Sequence, residues 1–397
     1  MKNNLLLGLA IVTLMFSCTS DDTADINIYD NSVTNNNNNT GGGNSGDCIF
    51  LSGTYFQDLT LDSNNCYKLN GSLIMATGTT LTIPAGTTIE AVAAGADVYI
   101  AISQGAKIQA NGTSSNPIVL TSDASNPAAG DWGGLIVLGR APINSVAGTA
   151  TSTSEIASLP YGGTNAADDS GVIRYVRIEY GGGAADGQSE NNGFSFYGVG
   201  NSTIVEYIQT YIGKDDGVEF FGGTVNVSYV SVVGAEDDSI DWTEGYTGTI
   251  NHAYVKHLVN HDKAFECDGY NTDFGNFSSP LYFSKPTINN ATIIGQGNTT
   301  GTEAIRLRAG TQGIFNNITI TGFEEGFDLD GDLGDNPTGA GVLSGDTHVT
   351  NVTFTDVTLK MKNDTGVTFT EADFISGDGN GTGTDYATWG AGWTVNE

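Results

Sequence analysis

The sequence predicts an all-β protein whose body is a right-handed parallel β-helix closed by an N-terminal and a C-terminal cap. Two observations lead to this prediction: short strand motifs recur at a regular spacing, and no segment shows helical periodicity. The 397 residues include 55 glycines and only 15% charged residues, which is typical of many short strands joined by tight turns. Because a single coil cannot bury its apolar face, successive coils must stack on one another.

The clearest repeat is a turn with two acidic residues, a small residue and an apolar–charged–apolar strand, as in residues 215–220 and 237–242. Its first apolar residue recurs after 24, 22, 25, 40 and 22 residues, at Phe194, Val218, Ile240, Phe265, Ile305 and Phe327. Alternation along the strands predicts an interior that contains Val218, Phe220, Ile240, Trp242, Phe265 and Cys267. The 40-residue step holds an extra loop, residues 269–284, and such insertions often lie on the functional face.

A second strand precedes each copy of this motif, and its third position forms a column. The column consists of Tyr175, Tyr207, Tyr229, His252, Asn290, Asn317 and Asn351. Asparagines at one position of successive coils can hydrogen-bond to one another along the stack. The column therefore resembles the asparagine ladder of pectate-lyase-like β-helices, and the resemblance implies a pectin-lyase-like solenoid.

The N-terminal half shows the same pattern of short strands and turns with other residues. It includes Gly-Asp-Trp-Gly-Gly at residues 130–134, followed later by Arg-Ile-Glu-Tyr-Gly-Gly at residues 177–182. These strings resemble a family of outer-membrane β-helix lipoproteins found in Gram-negative bacteria, and the resemblance covers residues 66–395. It implies the fold and leaves the chemical activity open.

The first 47 residues predict export and anchoring. Residues 1–17 combine Lys2, an apolar run and a small residue before Cys18, which is typical of a secretory signal. A cysteine at this place resembles the lipidation site of bacterial lipoproteins, although an ordinary signal with a chance cysteine is the alternative. The acidic pair that follows, Asp21 and Asp22, resembles a signal for export to the outer face of the outer membrane. We expect a palmitate-type lipid anchor at Cys18 and a flexible tether over residues 18–47, rich in Asn and Gly.

Charge and cysteines limit the possible partners and organise the rest of the chain. A formal charge of −31 excludes nucleic acid as a partner and disfavours polyanionic polysaccharides unless a divalent cation intervenes. We expect Cys48 and Cys66 to form a disulfide in an oxidising compartment and Cys267 to be a buried thiol. Residues 48–397 are then one monomeric β-helix domain, with caps over 48–70 and 374–397.

Stacked acidic residues form the main candidate site. Their outward and turn positions include Asp215, Asp216, Glu219 and Asp241, which repel one another when stacked and could bind Ca²⁺. The alternative is a solvated charged face that keeps the protein soluble. A second calcium candidate, resembling the start of a calcium-binding loop, consists of Asp328, Asp330, Asp332 and Asp335. No motif requires a cofactor.

Two functions remain open at this stage. The sequence contains no familiar catalytic motif, which favours a non-enzymatic surface protein that binds a glycan or another surface protein, mediates adhesion or acts as an envelope scaffold. The alternative is a calcium-assisted polysaccharide lyase or glycoside hydrolase. A hydrolase would use Asp237, Asp238 and Asp241 as acid and base groups, similar to polygalacturonases. A calcium-assisted lyase, similar to pectate lyases, would instead use Arg306 or Arg308 beside the acidic residues as its basic residue.

Overall fold

The computed structural model describes residues 48–144, 151–185, 190–272, 280–330 and 337–396. The signal segment, Cys18 and the tether lie outside these ranges, so the predictions for them remain predictions. Among the described residues, no helix is long and apolar enough to cross a membrane.

Short strands account for most of the regular structure in the described ranges. The strands of the first half are β1 (Ile49–Tyr55), β2 (Leu59–Thr60), β3 (Tyr67–Met75), β4 (Thr80–Pro84), β5 (Thr88–Ala91), β6 (Ile100–Ile102), β7 (Lys107–Asn111), β8 (Ile118–Ser122), β9 (Leu135–Leu138), β10 (Ser152–Thr153), β11 (Pro160–Tyr161), β12 (Gly171–Glu179) and β13 (Phe194–Tyr197). The later strands are β14 (Ile204–Gly213), β15 (Val218–Phe221), β16 (Asn226–Ala235), β17 (Ile240–Thr243), β18 (Thr249–Lys256), β19 (Phe265–Asp268), β20 (Thr287–Ile294), β21 (Glu303–Arg308), β22 (Gly313–Leu329), β23 (Thr347–Asn363) and β24 (Ile375–Asp378). The helices are α1 (Thr338–Ser344), α2 (Glu371–Phe374) and α3 (Tyr386–Trp389).

The strands form three parallel stacks around one core. The first stack runs from β2, β4 and β7 through the first halves of β12, β14, β16, β18, β20, β22 and β23 to β24. The second contains β5, β8 and the second halves of most of those long strands. The third contains β6, β9, β13, β15, β17, β19 and β21. This arrangement confirms the all-β parallel β-helix.

The predicted repeat is confirmed residue by residue in the third stack. Phe194 pairs with Val218, and the register continues through Ile240 and Phe265 to Ile305, across the 40-residue step. All six residues predicted to lie inside are buried: Val218, Phe220, Ile240, Trp242, Phe265 and Cys267. The strand register of the third stack therefore continues across the 40-residue step.

The predicted column marks the corner between the first and second stacks. Each member has a left-handed backbone, with φ between +49° at Tyr175 and +61° at Asn317. The tyrosine rings stack face to face, with 4.3 Å between the centroids of Tyr207 and Tyr229. Asn317 Nδ2 donates to Asn290 Oδ1 at 2.8 Å, which confirms the asparagine ladder at these coils. We call these seven residues the ladder.

The C-terminal residues differ from the predicted cap. Strand β24 pairs with β23 on the last coil, but residues 379–396 then run back along the ladder. The indole of Trp393 makes edge contacts with the rings of Tyr175 and Tyr207, and Val395 N donates to Gln209 Oε1 at 2.7 Å. The predicted cap over 374–397 is therefore a cap only as far as Asp378. The rest is a strap, residues 379–396, that covers the ladder over several coils.

At the N-terminal end, Cys48 and Cys66 form the expected disulfide, beside the pairing of β1 with β3. The Asp-Trp-Gly-Gly string has a structural role. Trp132 is buried and its Nε1 donates to Glu179 O at 2.8 Å. A Cβ at Gly134 would lie 2.0 Å from Asn192 O, so only glycine fits between these coils.

Candidate functional site

The outer face of the third stack carries the chemically reactive side chains. Its central column is in parallel register through Ser195, Glu219, Asp241, Glu266, Arg306 and Asp328. A second column lies two residues further along each strand, where Phe221 pairs with Thr243 and Asp268 pairs with Arg308. Side chains two apart point to the same side of a strand, so both columns face outward together.

The turns before these strands add a third column of charged residues. Asp216, Asp238 and Lys263 occupy equivalent places in three successive coils. Asp238 N donates to Asp216 Oδ1 at 3.0 Å, and Lys263 N donates to Asp238 Oδ1 at 2.7 Å. Each turn carboxylate is therefore held in place by the backbone of the next coil.

These columns line a cavity of about 250 Å³. Its walls contain ten carboxylate residues and one basic residue, Arg308. The lining residues are Glu155, Glu190, Asp215, Asp216, Glu219, Phe221, Asp237, Asp238, Asp241, Thr243, Glu266, Asp268, Asn271, Thr272 and Arg308. Asp238 is 4% exposed and Glu266 8%, so the alternative of a freely solvated face is wrong for these carboxylates.

Carboxylates on the side of the cavity away from Arg308 favour the protonated form. Burial, followed by repulsion from Asp215, raises the pKa of Asp216 well above its usual range. Burial and Asp241 do the same to the pKa of Glu219. Burial, then the charge of Glu190, raises the pKa of Asp215 to about 8. Desolvation disfavours each charged form, and the neighbouring negative charges add to that effect.

Carboxylates near Arg308 are in a different environment. Arg308 Nη2 lies 2.5 Å from Glu266 Oε2, and its Nε lies 2.6 Å from Asp268 Oδ1. Burial raises the pKa of Asp268, but the guanidinium lowers it, and the result is about 6. Asp268 is therefore ionised at neutral pH, although it is buried.

The structure brings most of the predicted site residues together. Asp237, Asp238 and Asp241 all line the cavity, as do Asp215, Asp216 and Glu219. Arg306 does not: its Nη2 lies 2.5 Å from Asp330 Oδ2, and Arg308 takes the place in the cavity.

The second calcium candidate is only partly within the described ranges, because Asp332 and Asp335 lie outside them. Asp328 Oδ2 lies 3.2 Å from Lys362 Nζ, and Asp330 is paired with Arg306. Among the described residues, the third carboxylate beside them is Asp364, 34 residues further on than Asp330. This group therefore has basic partners of its own.

Several residues of the site were not predicted from the sequence. Asp268 follows Glu266 by two positions on the same outward face, so extending the repeat by two residues would have found it. Glu155 and Glu190 come from loops between strands and reach the cavity from outside the stack. No repeat or spacing marks a loop residue of this kind.

Oxygen atoms on this face are close enough to bind a metal ion. Three carboxylate oxygens lie within 4.8 Å of one another in each of four groups: Asp215–Asp216–Asp237, Asp216–Glu219–Asp241, Asp237–Asp238–Asp262 and Asp238–Asp241–Glu266. Such all-oxygen clusters suit hard divalent cations.

Comparison with known proteins bears on the fold. A search of curated proteins found no match. Among solved structures, the chain is similar to the catalytic domain of a family GH87 α-1,3-glucanase in complex with tetrasaccharides, at 12% identity and a TM-score of 0.34. That similarity covers 84% of this chain and 62% of the glucanase domain, and its level carries no argument about function. The model of the pectate-lyase-like β-helix domain matches residues 53–394. The chain therefore belongs to the pectate-lyase-like β-helix domain family.

Proposed function

We propose that the protein is a polysaccharide-cleaving enzyme that hydrolyses glycosidic bonds in the acidic cavity. One observation carries this proposal: a single cavity holds carboxyl groups that favour the protonated form, such as Asp215, and one carboxylate, Asp268, that Arg308 keeps ionised. Glycoside hydrolysis needs one group of each kind. A binding or scaffold protein, the leading hypothesis from sequence, has no need for buried carboxylates that repel each other.

The roles follow from the two environments. Asp215, hydrogen-bonded to Glu190, donates its proton to the glycosidic oxygen as the bond from that oxygen to the anomeric carbon breaks. Asp268 accepts a proton from water, whose oxygen forms the new bond to the anomeric carbon. Both side chains line the same cavity, in coils two apart along the stack.

The charge of the cavity indicates a neutral substrate. The ionised carboxylates of the cavity, such as Asp268, repel a polyuronate, whereas hydroxyl groups of a neutral glycan can donate to them. Lyase chemistry would require Arg308 to act as a base. Burial lowers the pKa of Arg308, but Asp268 outweighs burial and raises it, so the guanidinium keeps its proton.

We also propose Ca²⁺ as a resident ion of this cavity. Asp241 Oδ1 is buried and has no hydrogen-bond partner among the described residues. Asp216, Glu219 and Asp241 would hold the ion, since their oxygens lie within 4.8 Å of one another. When bound, Ca²⁺ would offset the mutual repulsion of these carboxylates and could bind sugar hydroxyls.

We propose that the protein acts at the outer surface of the outer membrane, where it is anchored through Cys18. This part of the proposal rests on the sequence of residues 1–22. Replacement of Cys18 by alanine should move the protein from the membrane fraction to the soluble fraction of cells. Retention in the membrane fraction would contradict a lipid anchor at Cys18.

The activity is tested with purified full-length protein and a panel of neutral polysaccharides and polyuronates. We expect new reducing ends from a neutral glycan. Asp215→Asn and Asp268→Asn should each lower kcat on the order of 100-fold or more, because each removes one proton-transfer step. Glu236→Gln is the matched control: its carboxylate pairs with Lys214 and does not line the cavity, so activity should persist.

Three results would overturn hydrolysis. Unsaturated uronide products from a polyuronate would show a lyase. Glycan binding without cleavage would return the binding and adhesion hypothesis to first place. Equal loss in the Glu236→Gln control would show that folding, not proton transfer, limits the activity.

A further inference from the structure

Two of the three-carboxylate clusters on the third stack occupy equivalent positions in the repeat, one coil apart. The first trio is Asp216, Glu219 and Asp241, and the second trio is Asp238, Asp241 and Glu266. Each trio combines one turn carboxylate, the strand carboxylate three residues later and the strand carboxylate of the next coil. In both, the three oxygens lie within 4.8 Å of one another.

The charge of the turn residue changes from negative to positive in one coil of the repeat. The turn residue that follows Asp216 and Asp238 in the next coil is Lys263, which is 6% exposed. Its Nζ lies 3.1 Å from Glu266 Oε1 and 3.9 Å from Asp238 Oδ1. Arg308 reaches the other oxygen of Glu266 at 2.5 Å. The second trio therefore contains its own positive charges.

The first trio has polar partners but no such ion pair. Asn192 Nδ2 donates to Glu219 Oε2 at 2.6 Å, and a backbone N–H donates to Asp216. Within the described parts of the chain, ion pairs of this face involve Asp238, Asp262, Glu266 and Asp268, and none involves Asp216, Glu219 or Asp241.

Among the described residues, two buried oxygen atoms of the cavity wall have neither a hydrogen-bond partner nor an ion pair, and they point to a ligand. Glu266 Oε1 of the second trio also lacks a hydrogen bond, but it lies 3.1 Å from Lys263 Nζ. Asp241 Oδ1 is inaccessible to solvent and has no hydrogen-bond partner among the described residues. Thr243, two residues further on the same outward face, lines the cavity and is 7% exposed. Its Oγ1 is likewise without a partner in the described ranges. Buried polar atoms are normally hydrogen-bonded, so two orphan oxygens in one wall indicate a missing electropositive group.

We infer that Lys263 is the built-in cation of the second trio, so the cavity binds one divalent, oxygen-preferring cation at the first trio instead of two. The Lys263 ammonium occupies the place where the repeat would otherwise form a second metal site. This inference deepens the proposal of a resident Ca²⁺, but it does not require glycan hydrolysis.

The experiment is calorimetric titration of chelator-treated full-length protein with CaCl₂. Wild type should bind one equivalent of Ca²⁺. Lys263→Gln should bind two, because it leaves the second trio without its ammonium. Glu219→Gln should lose the first site, with affinity at least tenfold weaker. Lys214→Gln is the matched control, since Lys214 is an exposed lysine paired with Glu236 outside the cavity, and it should still bind one equivalent.

The outcomes separate the possibilities. Two equivalents on wild type, no binding to wild type, or a single equivalent on a folded Lys263→Gln variant would overturn the inference. If Lys263→Gln does not fold, the comparison of wild type with Glu219→Gln still decides whether the first trio is the site. Because binding is measured without substrate, a missing hydrolase activity leaves the result unaffected.

Discussion

The ladder and the acidic part of the central column (Glu219, Asp241 and Glu266, called the acidic column below) have the same stacked arrangement and opposite effects on stability. In both, one position recurs in successive coils about 4.8 Å apart. Ladder neighbours attract: Tyr175 and Tyr207 stack at 4.3 Å, and Asn317 donates to Asn290. Neighbours in the acidic column repel when ionised: burial and the charge of Asp241 disfavour the ionised form of Glu219 and raise its pKa.

The difference indicates which column serves stability and which serves function. A ladder of complementary groups lowers the free energy of the folded state with every coil. Buried like charges raise it, and they persist where a ligand or a reaction needs them. The strap reinforces this contrast, since it covers the ladder and leaves the acidic cavity on another face of the coils.

The largest expected effect comes from breaking the strap. Trp393 is 1% exposed and packs edge-on against the ladder tyrosines. Trp393→Ala should lower the free energy of unfolding by about 3–5 kcal/mol, as for other buried aromatic residues. Denaturant unfolding measures the change. Phe56→Ala, at a site that is 79% exposed, is the control and should stay close to wild type. Equal effects would contradict a stabilising strap.

The acidic cavity should give the protein an unusual dependence on pH when divalent ions are chelated. The pKa of Asp215 rises from 3.8 to about 8 in the folded state, so the folded protein binds this proton more tightly than the unfolded chain. The stabilisation that this proton gives the folded state is therefore fully present at low pH. It is lost as pH rises from about 4 to 8, by up to ~1.4 kcal/mol per pH unit for one group. Thermal melts with chelator between pH 5 and 8 test this, and Asp215→Asn should flatten the slope. A melting temperature that rises across this range would refute it.

Substitutions in the acidic column and in the ladder should change the free energy of unfolding in opposite directions. In chelator at pH 8, Glu219→Gln should raise the free energy of unfolding by roughly 1 kcal/mol or more, because glutamine occupies this site without the cost of burying or protonating a carboxylate. Asn317→Ala should lower it by about 1 kcal/mol, because the ladder loses a hydrogen bond. Urea unfolding of both variants gives the two signs. Destabilisation by Glu219→Gln would show that its carboxylate is compensated without a metal ion.

The smallest effect tests why the ladder changes from tyrosine to asparagine along the stack. Tyr207 has φ of +56°, a left-handed conformation that asparagine tolerates and β-branched residues resist. Tyr207→Val should therefore be about 1 kcal/mol less stable than Tyr207→Asn, although valine is the more apolar residue. Equal stabilities in urea unfolding would mean that ring stacking, and not backbone conformation, selects these residues.

Much of the fold could be predicted because repeats report on backbone geometry. The spacing of Val218, Ile240 and Phe265 reflects the length of a coil, and alternation along each strand identifies the inner face. Only part of the candidate site could be predicted from the repeat. Asp216, Glu219 and Asp241 belong to the repeat and could be found. Arg306 and Arg308 are alternate residues of one strand, and contacts with Asp330 and Asp268 decide which of them reaches the cavity.

The sequence alone determined the parallel β-helix, the ladder positions, the acidic column and the pairing of Cys48 with Cys66, because each depends on local spacing or on repetition. Only the tertiary structure decided that the acidic column is buried, since loop residues such as Glu155 and Glu190 close over it from distant parts of the chain. It also decided that residues 379–396 fold back along the ladder. Contacts between segments that share no period leave no regular trace in the sequence, and they set the solvent exposure on which the charge state of every carboxylate depends.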